Sequence, residues 1–313
     1  MKRQTGAIAL LLAGILMVSA AVTYVTMPTP NEETDEFRVV AGFYPMYTAA
    51  LAVVGDTEGV SVSCLTTPTA GCMHEYQLSP DERAVLNSAD VLVLSGGGAE
   101  SFLDNALTTL PSLPVLTTSG EVAWLNDCTE HDHEHDHDHS STSVNEHCWV
   151  SPVQYAKQIE ALRDGLCALD PDRAEQYRRN AAAYLQKIHA VADRAAALPL
   201  SQVAQTTVLF HDSMAYVADW LGLPVSAVLT VGEESGVSAA DLADAADRIR
   251  SKRVLFLHDS QYPADTYFLH LATADSKSVS WNIAVMPMNG VRDADTWLAA
   301  MEQNLNALQE VLG

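Results

Sequence analysis

Eleven histidines are spread unevenly through the 313 residues. Five of them, His131, His133, His135, His137 and His139, alternate with Asp and Glu in one unbroken tract. A tract this dense in imidazole and carboxylate binds divalent metal by composition alone, and it cannot build a core because every side chain in it seeks water. Outside the tract, His74, His147, His211 and His258 each stand within two residues of a cysteine or a carboxylate: Cys72 and Glu75, Cys148, Asp212, and Asp259. Three neutral imidazoles converging on one crevice match a zinc site, with an acid or amide completing the shell. The first three histidines form that candidate set, and Asp259, Asn282 or His258 is the candidate fourth ligand. His189 and His270 fall inside helical patterns and read as structural.

These side chains share a position in the expected fold. From Phe37 the chain alternates short β-prone apolar runs with helical segments, first over 37–117 and again over 206–311. Such alternation gives parallel sheets with helices on both faces. The fold expected is therefore α/β, with two lobes, each built on a mostly parallel sheet. Ser79-Pro80-Asp81-Glu82 has the form of a capping box with proline at the first helical position, and Ser238 with Asp241 marks another helix start. Between the halves, one helix opens at Ser151-Pro152. A second runs from Asp170-Pro171 to about Leu198, roughly 40 Å, with Tyr177, Ala181, Tyr184, Leu185, Ile188 and Val191 on one face. A helix of that length is a stiff brace joining the lobes. The expected division is 1–36, 37–150 with the histidine loop at 129–140, 151–200 and 201–313.

Ligands of open parallel sheets bind beyond the carboxyl ends of the strands. His74 falls after the second strand of the first half and His147 after its fourth. His211 follows the first strand of the second half, His258 and Asp259 its third, and Asn282 its fourth. All would open into the crevice between the lobes. Two imidazoles would come from the first half and one from the second, so a bound ion would tie the halves together.

Composition narrows the classes of partner. Acids outnumber bases 40 to 17 for a net charge of −23, which repels nucleic acid and attracts cations. Lys2-Arg3 precede an apolar run over 6–25, the pattern of an export signal or a single membrane anchor, with 27–37 as a polar tether. Export permits disulfides. Cys128 and Cys148 bracket the histidine tract and Cys64 and Cys72 bracket the approach to His74, while Cys167 reads as a buried thiol in a helix. Connectivity cannot be read from spacing, and Cys72 or Cys148 as a metal thiolate is the rival reading.

At these residues the chain resembles the zinc-specific solute-binding proteins of ABC transporters, the TroA-like or cluster A-I metal receptors. Val39-Val40-Ala41-Gly42-Phe43-Tyr44-Pro45-Met46-Tyr47 is similar to the family's opening strand and helix. His74-Glu75-Tyr76-Gln77-Leu78-Ser79-Pro80, His147-Cys148-Trp149-Val150-Ser151-Pro152 and His211-Asp212-Ser213-Met214-Ala215-Tyr216 are similar to its three ligand motifs. The resemblance implies an extracytoplasmic, monomeric receptor that takes Zn2+ as cargo and docks on a membrane permease. His211 stands where manganese carriers usually place a carboxylate, which favours zinc. The family often carries an acid after the last strand, where this chain has Asn282. A three-histidine zinc hydrolase or hydratase, and a surface metal buffer or adhesin without a transporter, are the alternatives. No His-Glu-x-x-His helix or glycine-flanked nucleophilic serine supports catalysis.

Overall fold

A computed structural model describes residues 36–66, 73, 76–126, 144–231, 236–261, 265–287 and 293–313. In the first lobe, strands β1 (Phe37–Ala41), β2 (Val60–Cys64), β3 (Val91–Leu94) and β4 (Val115–Thr117) form a sheet in the order β2-β1-β3-β4. Helices α1 (Tyr44–Val54), α2 (Pro80–Asn87) and the short α3 (Asp104–Leu107) connect them. The second lobe, preceded by the short α6 (Leu200–Val203), repeats the arrangement, with α7 (Met214–Leu221), α8 (Ala239–Arg248) and α9 (Asp265–Leu271) between its strands. Strands β5 (Thr206–Leu209), β6 (Val225–Val228), β7 (Val254–Asp259) and β8 (Lys277–Trp281) stand in the order β6-β5-β7-β8. Every pairing in both sheets is parallel.

The local chemistry of the sequence accounts for the element ends. Ser79 Oγ accepts the Glu82 N–H while the Glu82 carboxylate accepts the Ser79 N–H, closing the capping box that starts α2. Ser238 Oγ accepts the Asp241 N–H at the start of α8 (Ala239–Arg248). The central strands β3, β5 and β7 are almost wholly buried, as are the last three residues of β1, as expected when helices cover both faces.

Helix α4 (Pro152–Leu169) leads through a 3-10 turn at Pro171–Arg173 into α5 (Ala174–Ala196), 23 residues and about 35 Å long. The 3-10 turn takes the place of the helix's expected first turn, so the brace is shorter than its sequence pattern suggests. All six apolar positions anticipated on its inner face are buried. The helix grips both lobes. Asn180 Nδ2 donates to the carbonyls of Val53 and Val54 at the end of α1, at 3.1 and 2.8 Å. On the other side Tyr184 Oη donates to the Ala294 carbonyl at 2.8 Å, and Lys187 pairs with Asp295 at 2.8 Å just before α10 (Thr296–Leu312). Residues Phe37–Gly313 accordingly form one compact unit. Among the described residues no helix is long and apolar enough to cross a membrane. The apolar run 6–25 lies outside them.

One boundary differs in a way that matters for the site. His258 and Asp259 were expected just after a strand and instead end β7, because β8 pairs with β7 as far as Asp259 and Trp281. A partner strand carries extended backbone past the end of an apolar run, which no local pattern reveals.

Candidate metal centre

In each sheet the chain steps outward from its first strand to its second, then crosses back to its third. The crevice at that reversal, beyond the carboxyl ends, is where open α/β sheets take ligands. In the second lobe the reversal falls between β5 and β7. Their register pairs Leu209 with Leu257, and continuing it by two residues sets His211 level with Asp259.

His211 is 3% exposed. Its Nδ1 lies 2.9 Å from Asp212 Oδ1 and 2.8 Å from Ser213 Oγ. The Ser213 N–H is nearer Asp212 Oδ1, at 2.8 Å, than His211 Nδ1, at 3.2 Å. It therefore bonds the carboxylate, and His211 donates its own Nδ1–H to that same oxygen. The ring's lone pair is then on Nε2, the arrangement by which a carboxylate orients a metal-binding imidazole.

His147, 5% exposed, sits at the entry to the 3-10 turn Cys148–Val150 that precedes α4. Its Nδ1 is 3.0 Å from Asn145 Oδ1 and 3.7 Å from Asp212 Oδ1. Both imidazoles thus turn Nδ1 toward Asp212. The rings stand 5.2 Å apart between centroids at 86°, within reach of one dication at Zn–N distances of about 2.0–2.1 Å. One nitrogen from each ring and one Asp212 oxygen lie within 4.8 Å of one another.

Two carboxylates set the field. Burial alone would raise the Asp212 carboxyl, but the charges of His147 and His211 and the His211 hydrogen bond hold it well below the usual carboxylate range. Asp259 is 0% exposed. Its Oδ1 accepts the Gln261 N–H at 2.9 Å, and its Oδ2 is buried with no hydrogen-bond partner among the described residues. Burial raises its carboxyl above the ordinary value, offset in part by the Gln261 N–H and by His211, His147 and His258. A buried, half-satisfied carboxylate is costly on its own and is relieved by a cation. With both imidazoles neutral, the two carboxylates cancel the charge of one dication.

The other candidates fall as follows. His74 lies outside the described residues, as do Glu75, Cys72, Cys128 and the tract His131, His133, His135, His137 and His139. His258 is half-buried and, by strand alternation, faces away from Asp259. Asn282 Oδ1 accepts the Ala284 N–H at 2.8 Å, while its backbone exchanges hydrogen bonds with the Asn304 side chain. Cys148 is a free thiol, fully buried, with Sγ 3.8 Å from Ser95 Oγ, and burial pushes it up to about 12. It is neither bridged to Cys128 nor a thiolate, because its side chain points into the packed first lobe. Cys64 is half-buried at the end of β2. Cys167 is half-buried rather than buried, with Sγ 3.3 Å from the Ala174 carbonyl.

Sequence reasoning passed over Asn145 and Glu100. Asn145 stands two residues before His147, a spacing that allows a side chain to bond a nearby backbone N–H. Nothing local signals its contact with Asp212, 67 residues on.

The model of the family described as zinc-uptake complex component A, periplasmic (ZnuA), matches residues 39–311. The zinc-binding lipoprotein AdcA of Streptococcus pneumoniae is 29% identical over 310 residues, covering 95% of this chain and 60% of its own length. The chain thus spans about three-fifths of that relative. A crystal structure of Zn(II)-bound AdcA from the same organism superimposes with a TM-score of 0.67 at 26% identity, over 88% of this chain and 58% of that one. FpvC of Pseudomonas aeruginosa in complex with Mn2+ shares the fold at a TM-score of 0.72 and 22% identity, over 88% and 98% of the two chains. With the family model matched across nearly the whole of both lobes, the chain belongs to the ZnuA family of zinc-uptake component A proteins.

Proposed function

We propose that the protein is an extracytoplasmic receptor that captures Zn2+ in the crevice between its lobes and delivers it to an ABC permease in the membrane. The observation behind this reading is the pairing of His147 and His211, two buried imidazoles oriented through Nδ1 around Asp212. In this reading Zn2+ is held by His74, His147 and His211, with Asp259 as the fourth ligand. Asp259 is preferred to Asn282, whose Oδ1 already accepts a backbone N–H, and to His258, which belongs to the opposite face of β7. Imidazole ligands favour zinc over manganese, which suits harder oxygen donors. The tract His131–His139 gathers metal beside this centre. The site binds and releases its ion and catalyses no reaction. The run 6–25 directs export, cleaved or kept as an anchor, and the receptor acts as a monomer.

Competition against a chromophoric chelator tests the cargo: one tight zinc site per chain is expected, and manganese at equal concentration should not displace the metal. Displacement by manganese would overturn the metal assignment. Unchanged zinc uptake in cells lacking the protein would overturn delivery.

A further inference from the structure

We propose that Asn145 is the positioning residue that fixes the tautomer of His147 and fastens that ligand to the second lobe, so that His147 and His211 are presented as a single unit. The proposal deepens the zinc-receptor reading above and rests on it.

Asn145 is fully buried, and each of its polar groups is used. Its Nδ2 donates to the Asp212 carbonyl at 2.8 Å, which settles which way the amide faces. Its Oδ1 accepts the His147 N–H at 3.1 Å and lies 3.0 Å from His147 Nδ1. A flipped amide would set NH2 against the His147 N–H and oxygen against the Asp212 carbonyl, losing both bonds. Two acceptors cannot bond one another. His147 Nδ1 therefore carries the proton, and the ring's lone pair is on Nε2. The same outcome is reached at His211 through the Asp212 carboxylate. Adjacent groups of the 212 residue, its carbonyl and its carboxylate, thus prepare the two rings, one through Asn145 and one directly.

The backbone of Asn145 extends the attachment. Its N–H donates to the Leu125 carbonyl at 2.9 Å. Its carbonyl accepts Tyr216 Oη–H at 2.9 Å, and that hydroxyl accepts the Leu125 N–H at 3.1 Å. Tyr216 lies on α7 (Met214–Leu221), directly after His211-Asp212-Ser213. Beyond His147, Trp149 Nε1 donates to the Ile283 carbonyl and Trp297 Nε1 donates to the Trp149 carbonyl, both at 3.0 Å. Residues 145–149 are bonded to both lobes: the Asn145 N–H and the Cys148 thiol meet Leu125 and Ser95 of the first, while Asn145 Nδ2 and Trp149 Nε1 reach Asp212 and Ile283 of the second. The bonds from Asn145 to Asp212 and Tyr216 hold His147 beside His211.

The test begins with the metal-free wild-type chain, labelled with 15N-histidine and held at a pH where the imidazoles are neutral. His147, identified by the signal lost in His147→Gln, should show the Nδ1–H tautomer. Finding Nε2–H would overturn the proposal without any variant of Asn145 having to fold. Asn145→Ala should shift His147 toward the other tautomer and weaken zinc binding by about 10–100-fold, the usual cost of losing a partner behind a ligand. Asn145→Asp keeps the acceptor at His147 Nδ1 but loses the donor to the Asp212 carbonyl, so it should hold the Nδ1–H tautomer that Asn145→Ala loses. An unchanged tautomer and an affinity within about twofold in Asn145→Ala would sink the idea. Should the wild type hold no zinc, the receptor reading fails, while the tautomer, read without metal, still decides the role of Asn145.

Discussion

The two lobes bury a carboxylate at the same place and satisfy it differently. Both sheets reverse between their first and third strands, and in both an acid occupies the carboxyl end of that reversal. In the first lobe it is Glu100. Its Oε1 accepts the Ser95 N–H at 2.7 Å and its Oε2 the Gly96 N–H at 3.1 Å, so both oxygens are satisfied by the loop after β3. The loop needs its glycine: Gly96 has φ +90°, and a Cβ there would lie 2.5 Å from Ser119 Oγ. Gly42 leaves the space that the acid fills, since a Cβ on it would stand 3.2 Å from Glu100 Cγ. In the second lobe it is Asp259, with one oxygen on the Gln261 N–H and the other unmatched among the described residues. Burial is similar in the two, so burial does not mark a ligand. What distinguishes them is acceptor capacity left unspent beside two imidazoles.

This contrast can be broken by experiment. The largest effects belong to the imidazoles: His147→Ala or His211→Ala should weaken zinc binding by more than about 100-fold, exceeding the loss of an outer partner, as read by chelator competition. Next comes the pair of acids. Asp259→Asn should lower zinc affinity by about 10–100-fold, whereas Glu100→Gln should leave it within about twofold. Equal losses in the two variants would erase the distinction.

The pH dependence sharpens it further. Burial pushes the Glu100 carboxyl up to about 7 from an ordinary value of 4.5, against the pull of the Ser95 and Gly96 N–H groups. Between those values the folded chain binds more protons than the unfolded one, so stability falls as pH rises from 4.5 to about 7. The fall should be of order 3 kcal/mol, and Glu100→Gln should flatten it in denaturant melts of the metal-free chain. A wild-type curve that rises across this window, with no change in Glu100→Gln, would contradict the assignment. The smallest effect on the tight site is expected from deleting residues 130–141, which should reduce the number of weakly held ions in a zinc titration and spare the tight one. Loss of the tight site with the tract would refute its accessory role.

Much of the architecture was legible in the sequence because it is written locally. Ser79 and Glu82 announce a helix start that is realised atom for atom, and the spacing of Tyr177, Tyr184, Ile188 and Val191 gives the buried face of α5. The positions of His147 and His211 at strand and helix junctions were legible for the same reason. Features that depend on distant partners were not. β7 reaches Asp259 only because β8 pairs with it. Asn145 acquires its role from Asp212 and Tyr216, and Cys148 its inertness from packing against Ser95. A residue whose purpose lies in a bond across the molecule carries no mark in its own neighbourhood.

The central claim is that a single dication is held by imidazoles brought from both halves of the chain. The most direct test is metal analysis of the purified chain lacking residues 130–141, before and after exposure to a weak chelator. The account predicts one zinc per chain, retained through the chelator and lost when both His147 and His211 are replaced by alanine. Zinc absent from the purified chain, or held equally well by the double variant, would contradict it.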